Sequence, residues 1–226
     1  MAITYVQKAS INPGSSGIVT LLNPVAVGDL IVVYTFVSFT ASAVTPAATD
    51  SLGNSYSLVS GTNSYQGGSS RQIFVLWTRV TNPGATCAIT ITPAVGVNCF
   101  IDGVHFNGFA GIATAVDGTF LYQGASTTAL TSTSFNTSQA NEMVLAFDQH
   151  LGAGAAFSTP PSGWTNQSPN TFSNFYYQLF SSQATATNYS GTLAVSDTFF
   201  NALAGFYDGA PPLQVSSISI FSLGPG

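Results

Sequence analysis

Apolar residues along this chain occur in short runs that turn-forming residues separate, which is the spacing of β-strands rather than of helices. Apolar and polar positions alternate in Ala88–Thr92, and Asn12-Pro13-Gly14 and Asn82-Pro83-Gly84 mark turns. We therefore predict an antiparallel all-β fold. In the first half of the chain the predicted strands are Ile3–Ser10, Gly17–Leu22, Leu30–Phe39, Tyr56–Ser60, Gln72–Val80, Ala88–Thr92 and Cys99–Phe109.

The second half of the chain repeats the pattern of the first half. The offset between matching segments falls from 116 to 97 along the chain, with one reverse step of a single residue, as a duplication with shortened loops would produce. The clearest match pairs Val27–Val32 with Ala140–Leu145. Further matches pair Gln7 with Gln123, Gly53 with Gly163, Phe74 with Tyr177, Ile89 with Leu193 and Phe106 with Leu203.

Two matched β halves permit two architectures. One is a single antiparallel, jelly-roll-like β-sandwich with an internal pseudo-repeat, which spans residues 1–209 with halves at about 1–111 and 115–209. The other is a pair of tandem immunoglobulin-like sandwiches. The junction from Gly108 to Ala113 runs on without the polar hinge of a linker, so we favour the single sandwich.

Two predicted strands contain segments that are apolar at every position, Leu30–Tyr34 and Ile73–Trp77. In a sandwich, one face of each strand meets the core and the other face is normally polar. We therefore expect a neighbouring subunit or a larger particle to cover the outer faces, which would otherwise form a large exposed apolar patch.

Composition narrows the function classes further. Charged residues make up 5% of the chain and hydrophobic residues 45%, which excludes a disordered chain of low hydrophobicity and high charge. With 3 Lys+Arg, the chain lacks a basic cluster for phosphates, so we expect no nucleic-acid partner. A surface of hydroxyls and amides suits work outside a cell and allows close packing in an assembly, since few charges are buried there.

The longest apolar run, Leu30–Val37, is too short for a membrane-spanning helix, so we expect no membrane insertion. The segment Met1–Lys8 shows no signal peptide, which favours a virion protein released by lysis; an extracellular protein whose leader has been removed is the alternative. Residues 210–226 form a C-terminal extension whose apolar pattern predicts an extra strand, either at the edge of its own sandwich or exchanged with a neighbouring subunit; a disordered tail is the third alternative. Its candidate assembly residues are Val215, Ile218, Ile220 and Phe221.

Cys87 and Cys99 lie on predicted adjacent strands with turn residues between them. They are candidates for a cross-hairpin disulfide, and two buried thiols are the alternative. Two cysteines alone are a poor metal site, so no metal is expected there.

The acids and histidines indicate little catalytic chemistry, because most of the acids lie at turns. Asp148 and His150 share one face of a predicted strand, whereas Asp102 and His105 point to opposite faces. A hydrolytic or metal site at Asp148 and His150 is conceivable, but no Gly-x-Ser-x-Gly motif supports it, and a polar pair on a sheet face is the preferred interpretation. We expect a non-enzymatic protein without metal or cofactor.

Aromatic residues make up 12% of the chain, and some of them fall in turn-rich stretches where they could stack on sugar rings beside amide side chains. Packing into the core is the alternative. The candidate glycan contacts are Tyr65, Gln66, Trp164, Asn166 and Tyr176.

Three segments together resemble a known kind of module: Val27–Leu30, Thr49–Tyr56 and Pro160–Thr165. They are similar to duplicated jelly-roll-like β-sandwich modules of phage virion proteins and bacterial surface proteins. The resemblance spans residues 1–209 and implies a displayed, non-enzymatic structural or adhesive role. It assigns no catalytic or ligand residue to this chain.

These observations predict a structural protein of a phage virion or other extracellular assembly, such as a capsid decoration, tail or fibre component. It is expected to form a homo-oligomer, or to bind other proteins of the assembly, through apolar sheet faces. The alternative is a carbohydrate-binding adhesion module that recognises surface glycans.

Overall fold

The computed structural model describes residues 3–14, 17–38, 47–59, 64–66, 71–92, 98–109, 115–137, 140–152, 156–167 and 172–207, without the side chains at 12–14, 38, 64–66, 98–99 and 115–125. Within these ranges all regular structure is β, which confirms the all-β prediction, and no helix there could cross a membrane. The strands are β1 (Thr4–Gly14), β2 (Ile18–Leu21), β3 (Leu30–Ser38), β4 (Ala47–Asp50), β5 (Ser57–Leu58), β6 (Ser64–Gln66), β7 (Arg71–Arg79), β8 (Cys87–Thr92), β9 (Asn98–Asn107), β10 (Ala115–Thr131), β11 (Glu142–His150), β12 (Phe157–Thr159), β13 (Thr165–Asn166), β14 (Ser173–Phe180) and β15 (Ser190–Tyr207).

Each half of the chain builds its own large antiparallel sheet, and the two sheets share one strand order. The first sheet runs β1-β9-β3-β7-β5, and the second runs β10-β15-β11-β14-β13. Two turns repeat as well: Gly28 and Asn141 both have positive φ before β3 and β11, and Gly53 and Gly163 both have φ near +80°. Such conformations favour glycine or asparagine, which explains why these positions match in the sequence.

A second layer covers one face of each large sheet. In the first half it is the three-stranded sheet β2-β8-β4. In the second half the long strands β10 and β15 continue past the large sheet, where Leu130 pairs with Gly191, and β12 joins them through Phe157 and Leu193. Each half therefore encloses a core of its own.

The two halves pack against each other through their large sheets. Tyr34 of the first half stacks on Phe147 of the second, with ring centroids 4.7 Å apart. Trp77 contacts Phe206 edge-on at 5.9 Å. The repeat-related pair Tyr177 and Phe106 makes the same contact at 5.5 Å. The interface therefore resembles that of a two-fold symmetric dimer within one chain.

The strands that are apolar on both faces lie between two of these layers. Leu30 and Val32 on β3 face the core shared by the halves, whereas Ile31 and Val33 face the first half's own core. The expectation that a neighbouring subunit or particle covers these faces is therefore wrong, because the chain covers them itself. A strand enclosed on both sides needs apolar residues at every position.

Strand pairing also corrects the alignment of the two halves. Leu30 and Met143 match each other in the repeat. Leu30 pairs with Phe106 and Met143 pairs with Phe206, so Phe106 corresponds to Phe206 rather than to Leu203. Shifts of the same kind apply to β1 and β7, where Lys8 corresponds to Gly118 and Arg79 to Leu179. Short apolar segments align equally well in several registers, and hydrogen-bond pairing decides among them.

Candidate functional site

The most polar part of the second half's interior surrounds Asp148 on β11. Asp148 is fully buried, and its carboxylate accepts hydrogen bonds from the Tyr189 hydroxyl at 2.6 Å and from Asn201 Nδ2 at 2.7 Å. Asn174 adds a third side-chain hydrogen bond. Because Asn201 and Asn174 are the register partners of Asp148 on β15 and β14, three adjacent strands supply polar residues at one level of the sheet.

Burial dominates the electrostatics of this cluster. Desolvation raises the pKa of Asp148 to about 7, although the hydrogen bonds from Tyr189, Asn201 and Asn174 lower it. Desolvation, followed by the nearby Asp148 carboxylate, raises the pKa of Tyr189 well above its usual value. Burial therefore shifts the titration of the Asp148 carboxyl group to near neutral pH.

His150 lies two residues further along β11, on the same face as Asp148. Burial lowers the pKa of His150 to about 4, and the nearby Asp197 only partly offsets this effect. His150 Nδ1 lies 3.7 Å from Asp197 Oδ2, which is an ion-pair distance, but the imidazole is neutral at neutral pH. Asp197 instead accepts hydrogen bonds from the backbone N–H groups of Gly152 and Thr198, and so holds the turn after β11.

Asp148 and His150 can bind and release a proton, but a substrate in the solvent cannot reach either side chain. Asp148 is 0% exposed and His150 is 1% exposed. Across the part of the chain that the structure describes, no three His, Cys, Asp or Glu side chains gather as metal ligands. The row of polar groups at the end of β11 is a feature of the core.

A second buried pair lies in the first half. His105 Nε2 contacts Asp29 Oδ2 at 2.7 Å, and His105 Nδ1 contacts Gln7 Nε2 at 3.2 Å. Gln7 Oε1 accepts the backbone N–H groups of Leu22 and Asn23, so its amide nitrogen must be the group that faces the ring. His105 therefore carries its proton on Nε2 and donates it to Asp29. Asp102, as predicted, points to the opposite face, towards Lys8.

The segment Thr49–Tyr56 forms a clamp around Asp50. The Asp50 carboxylate accepts hydrogen bonds from the backbone N–H groups of Leu52 and Asn54, from the Asn54 amide and from the Tyr56 hydroxyl. Partial burial raises the pKa of Asp50, but these hydrogen bonds outweigh it and lower the pKa overall. Asn54 Oδ1 in turn accepts the backbone N–H of Asn82, so the clamp ties two turns together.

Cys87 lies beside this clamp and is a free, buried thiol. Its Sγ lies 3.4 Å from Asp50 Oδ2, and burial together with that carboxylate raises the pKa of Cys87 to about 12. Cys87 is on β8, which pairs with β2 and β4, whereas Cys99 is on β9, which pairs with β1 and β3. The predicted cross-hairpin geometry is therefore wrong, because the chain changes sheets between the two residues. The side chain of Cys99 lies outside the described part.

The predicted glycan contacts of the second half lie in or against an aromatic core. Tyr176 is 3% exposed, so its ring cannot serve as a platform for a sugar, contrary to the prediction. Trp164 is partly buried and packs edge-on against Tyr189 at 5.0 Å and Phe135 at 6.2 Å. Asn166 is exposed, and its amide donates to the Tyr176 hydroxyl at 3.1 Å.

Two sets of predicted residues have no described side chains. Tyr65 and Gln66 lie on β6, whose backbone pairs with β7, but their side chains are outside the described part. The whole C-terminal extension also lies outside the described residues. Its candidate assembly residues were Val215, Ile218, Ile220 and Phe221.

Sequence reasoning missed the partners of Asp148. Tyr189, Asn174 and Asn201 are far from it in the sequence and meet it only after the strands pair. One signal was available, because Asn201 is a lone amide within the apolar run 199–206. A polar residue in such a run needs a buried hydrogen-bond partner.

Comparison with known proteins adds no relative: no protein-family model, no curated protein and no solved structure matches this chain.

Proposed function

We propose that this protein is a non-enzymatic structural component of a phage virion or another extracellular assembly. The observation that carries the proposal is the placement of charge: every charged side chain that the structure describes is at least partly buried. The lowest exposures are those of Glu142 at 1%, Asp148 at 0%, Asp102 at 4%, Asp197 at 7% and Asp29 at 8%, and the side chain of Lys8 is 6% exposed.

Among the described residues, the charged side chains stabilise the fold from buried or partly buried positions, so the surface that these residues form is largely neutral. Asp50 and Asp197 accept backbone N–H groups at turns, and Arg79 donates to the carbonyl oxygen of Phe109. A neutral exterior gives copies little mutual repulsion and buries few charges when they pack together. Such contacts depend weakly on salt, since few exposed charges are available to be screened.

The contact surface is proposed to lie outside the sheet faces, which the chain covers itself. Leu22 and Val27 are the most exposed large hydrophobic side chains among the described residues, at 74% and 68%. Both lie in the connection between β2 and β3. Apolar side chains in a neutral surface favour contact with a partner, and we place one assembly contact there.

Light scattering over a concentration series tests this function. We expect self-association into a defined species at high micromolar concentration, with little change between low and high salt. Leu22→Lys combined with Val27→Lys should weaken association, whereas Val195→Lys, a control at a side chain 54% exposed in the second half, should not. A stable monomer at these concentrations would contradict the proposal, as would open-ended aggregation seen by negative-stain microscopy.

The adhesion alternative now depends on Tyr65 and Gln66, together with the exposed Asn166, since Tyr176 is buried and Trp164 packs edge-on. A glycan array separates the two functions. Binding that Tyr65→Ala abolishes, and Trp164→Ala does not, would favour adhesion at β6. An array without any bound glycan would remove this alternative.

A further inference from the structure

The second half contains a cavity beside Glu142 on β11 and Gly205 on β15. Its volume is about 200 Å³, and Glu142, Asn136, Ser134, Phe135 and Gly205 are among the residues that line it. Glu142 is 1% exposed, so its carboxyl group is buried at the edge of this space. A cavity that combines a carboxylate, an amide, a hydroxyl and an aromatic ring has the composition of a small-molecule site.

The repeat shows what occupies the same position in the first half. Leu30 pairs with Phe106 in the first half, and the matching Met143 pairs with Phe206 in the second. The residue before each of these in the first half therefore corresponds to the residue before its match in the second half. Glu142 therefore stands where the first half has Asp29, and Gly205 stands where it has His105. The loop residue Asn136 likewise matches Ala26, since the bridge of Val25 with Gly84 recurs as that of Phe135 with Thr187.

In the first half, this position holds an imidazole ring against a carboxylate. His105 is 1% exposed, and its Nε2–H donates to Asp29 Oδ2 at 2.7 Å. The ring is held on its other side by Gln7. The same backbone framework in the second half presents a carboxylate but has glycine in place of the ring, and the cavity lies between them.

We propose that the cavity beside Glu142 binds a small nitrogen heterocycle or amine, which donates an N–H to the Glu142 carboxylate as His105 does to Asp29. A charge-assisted hydrogen bond of this kind is among the stronger polar contacts. Asn136 Oδ1 accepts the backbone N–H of Ala186, which directs its amide nitrogen to a different partner, such as a second ring nitrogen. Phe135 supplies an apolar contact for the ring.

Thermal unfolding with imidazole as the probe tests this site, against sodium chloride at the same ionic strength. At ten times its dissociation constant, imidazole should raise the Tm of the wild type by about 3 to 6 °C. Glu142→Gln should bind imidazole about tenfold more weakly, because the hydrogen bond loses its charge. Gly205→His should place a ring in the cavity and remove the response.

His105→Gly provides the matched control in the other half, because it opens the equivalent space beside Asp29. This variant should be less stable than the wild type and should show a larger imidazole-dependent rise in Tm. A wild-type Tm that does not respond to imidazole would overturn the proposal, as would a response unchanged in Glu142→Gln. If Gly205→His does not fold, Glu142→Gln alone decides.

Discussion

Asp148 and His150 make opposite contributions to the pH dependence of stability, and Asp148→Asn separates them. In the folded protein burial raises the pKa of Asp148 from 3.8 to about 7 and lowers the pKa of His150 from 6.5 to about 4. The stability that the Asp148 carboxyl group contributes is complete below pH 3.8 and is lost as the pH rises through 7. The contribution of His150 is complete above pH 6.5 and is lost as the pH falls through 4.

Between pH 4 and pH 6.5 the two effects nearly cancel in the wild type, because folding binds a proton at Asp148 and releases one at His150. At about 1.4 kcal/mol per pKa unit, the shift of Asp148 corresponds to about 4 kcal/mol and that of His150 to about 3 kcal/mol.

Asparagine fits the site of Asp148, since its amide can donate to the Tyr189 hydroxyl while its oxygen accepts from Asn201.

In Asp148→Asn, the free energy of unfolding should therefore rise by about 3 kcal/mol from pH 4 to pH 6.5, as the His150 contribution is no longer opposed. Above pH 7 the variant should be more stable than the wild type, which must keep a buried carboxylate there. His150→Gln is the matched control, and its stability should instead fall by about 4 kcal/mol as the pH rises from 4 to 7.

Urea denaturation followed by intrinsic fluorescence, at constant ionic strength from about pH 4 to about pH 8, measures these free energies. A flat profile for Asp148→Asn below pH 6.5 would refute the argument that His150 is buried in its neutral form. Parallel profiles for the two variants would refute the argument that their pKa values shift in opposite directions.

Three further predictions concern contacts that hold the fold. Phe147→Ala removes the ring that stacks on Tyr34 between the halves and should lower the free energy of unfolding by about 3–5 kcal/mol; a loss below about 1 kcal/mol in urea denaturation would count against this interface. Asn54→Ala leaves the backbone N–H of Asn82 without its acceptor and should cost about 1–3 kcal/mol in the same assay, whereas an unchanged midpoint would mean that the clamp adds nothing. Cys87 should react with a thiol reagent only after denaturation, since burial raises its pKa to about 12; rapid reaction in the native protein would contradict its placement.

Some of the Asp148 cluster could be anticipated from the sequence. Asp148 and His150 are two residues apart on a strand, and that spacing alone places them on one face. Tyr189 could not be identified in this way, because it reaches Asp148 from the second layer of the half, 41 positions away. Local spacing determines which residues share a face, and it contains no information on what packs against that face.

By itself, the sequence determined the all-β class and the main strands of the first half, because apolar runs and turn residues such as Asn82-Pro83-Gly84 act over a few residues. The turn predicted at Asn12-Pro13-Gly14 is wrong, because these residues continue β1. The sequence also indicated that Leu30–Tyr34 is buried on both sides. Only the tertiary structure decided what covers that strand, since a neighbouring subunit and the other half of the same chain require the same apolar pattern. The register of the two halves was decided there as well, because it depends on backbone hydrogen bonds rather than on side-chain similarity. These bonds make Gly205 the equivalent of His105, and a cavity lies beside Glu142.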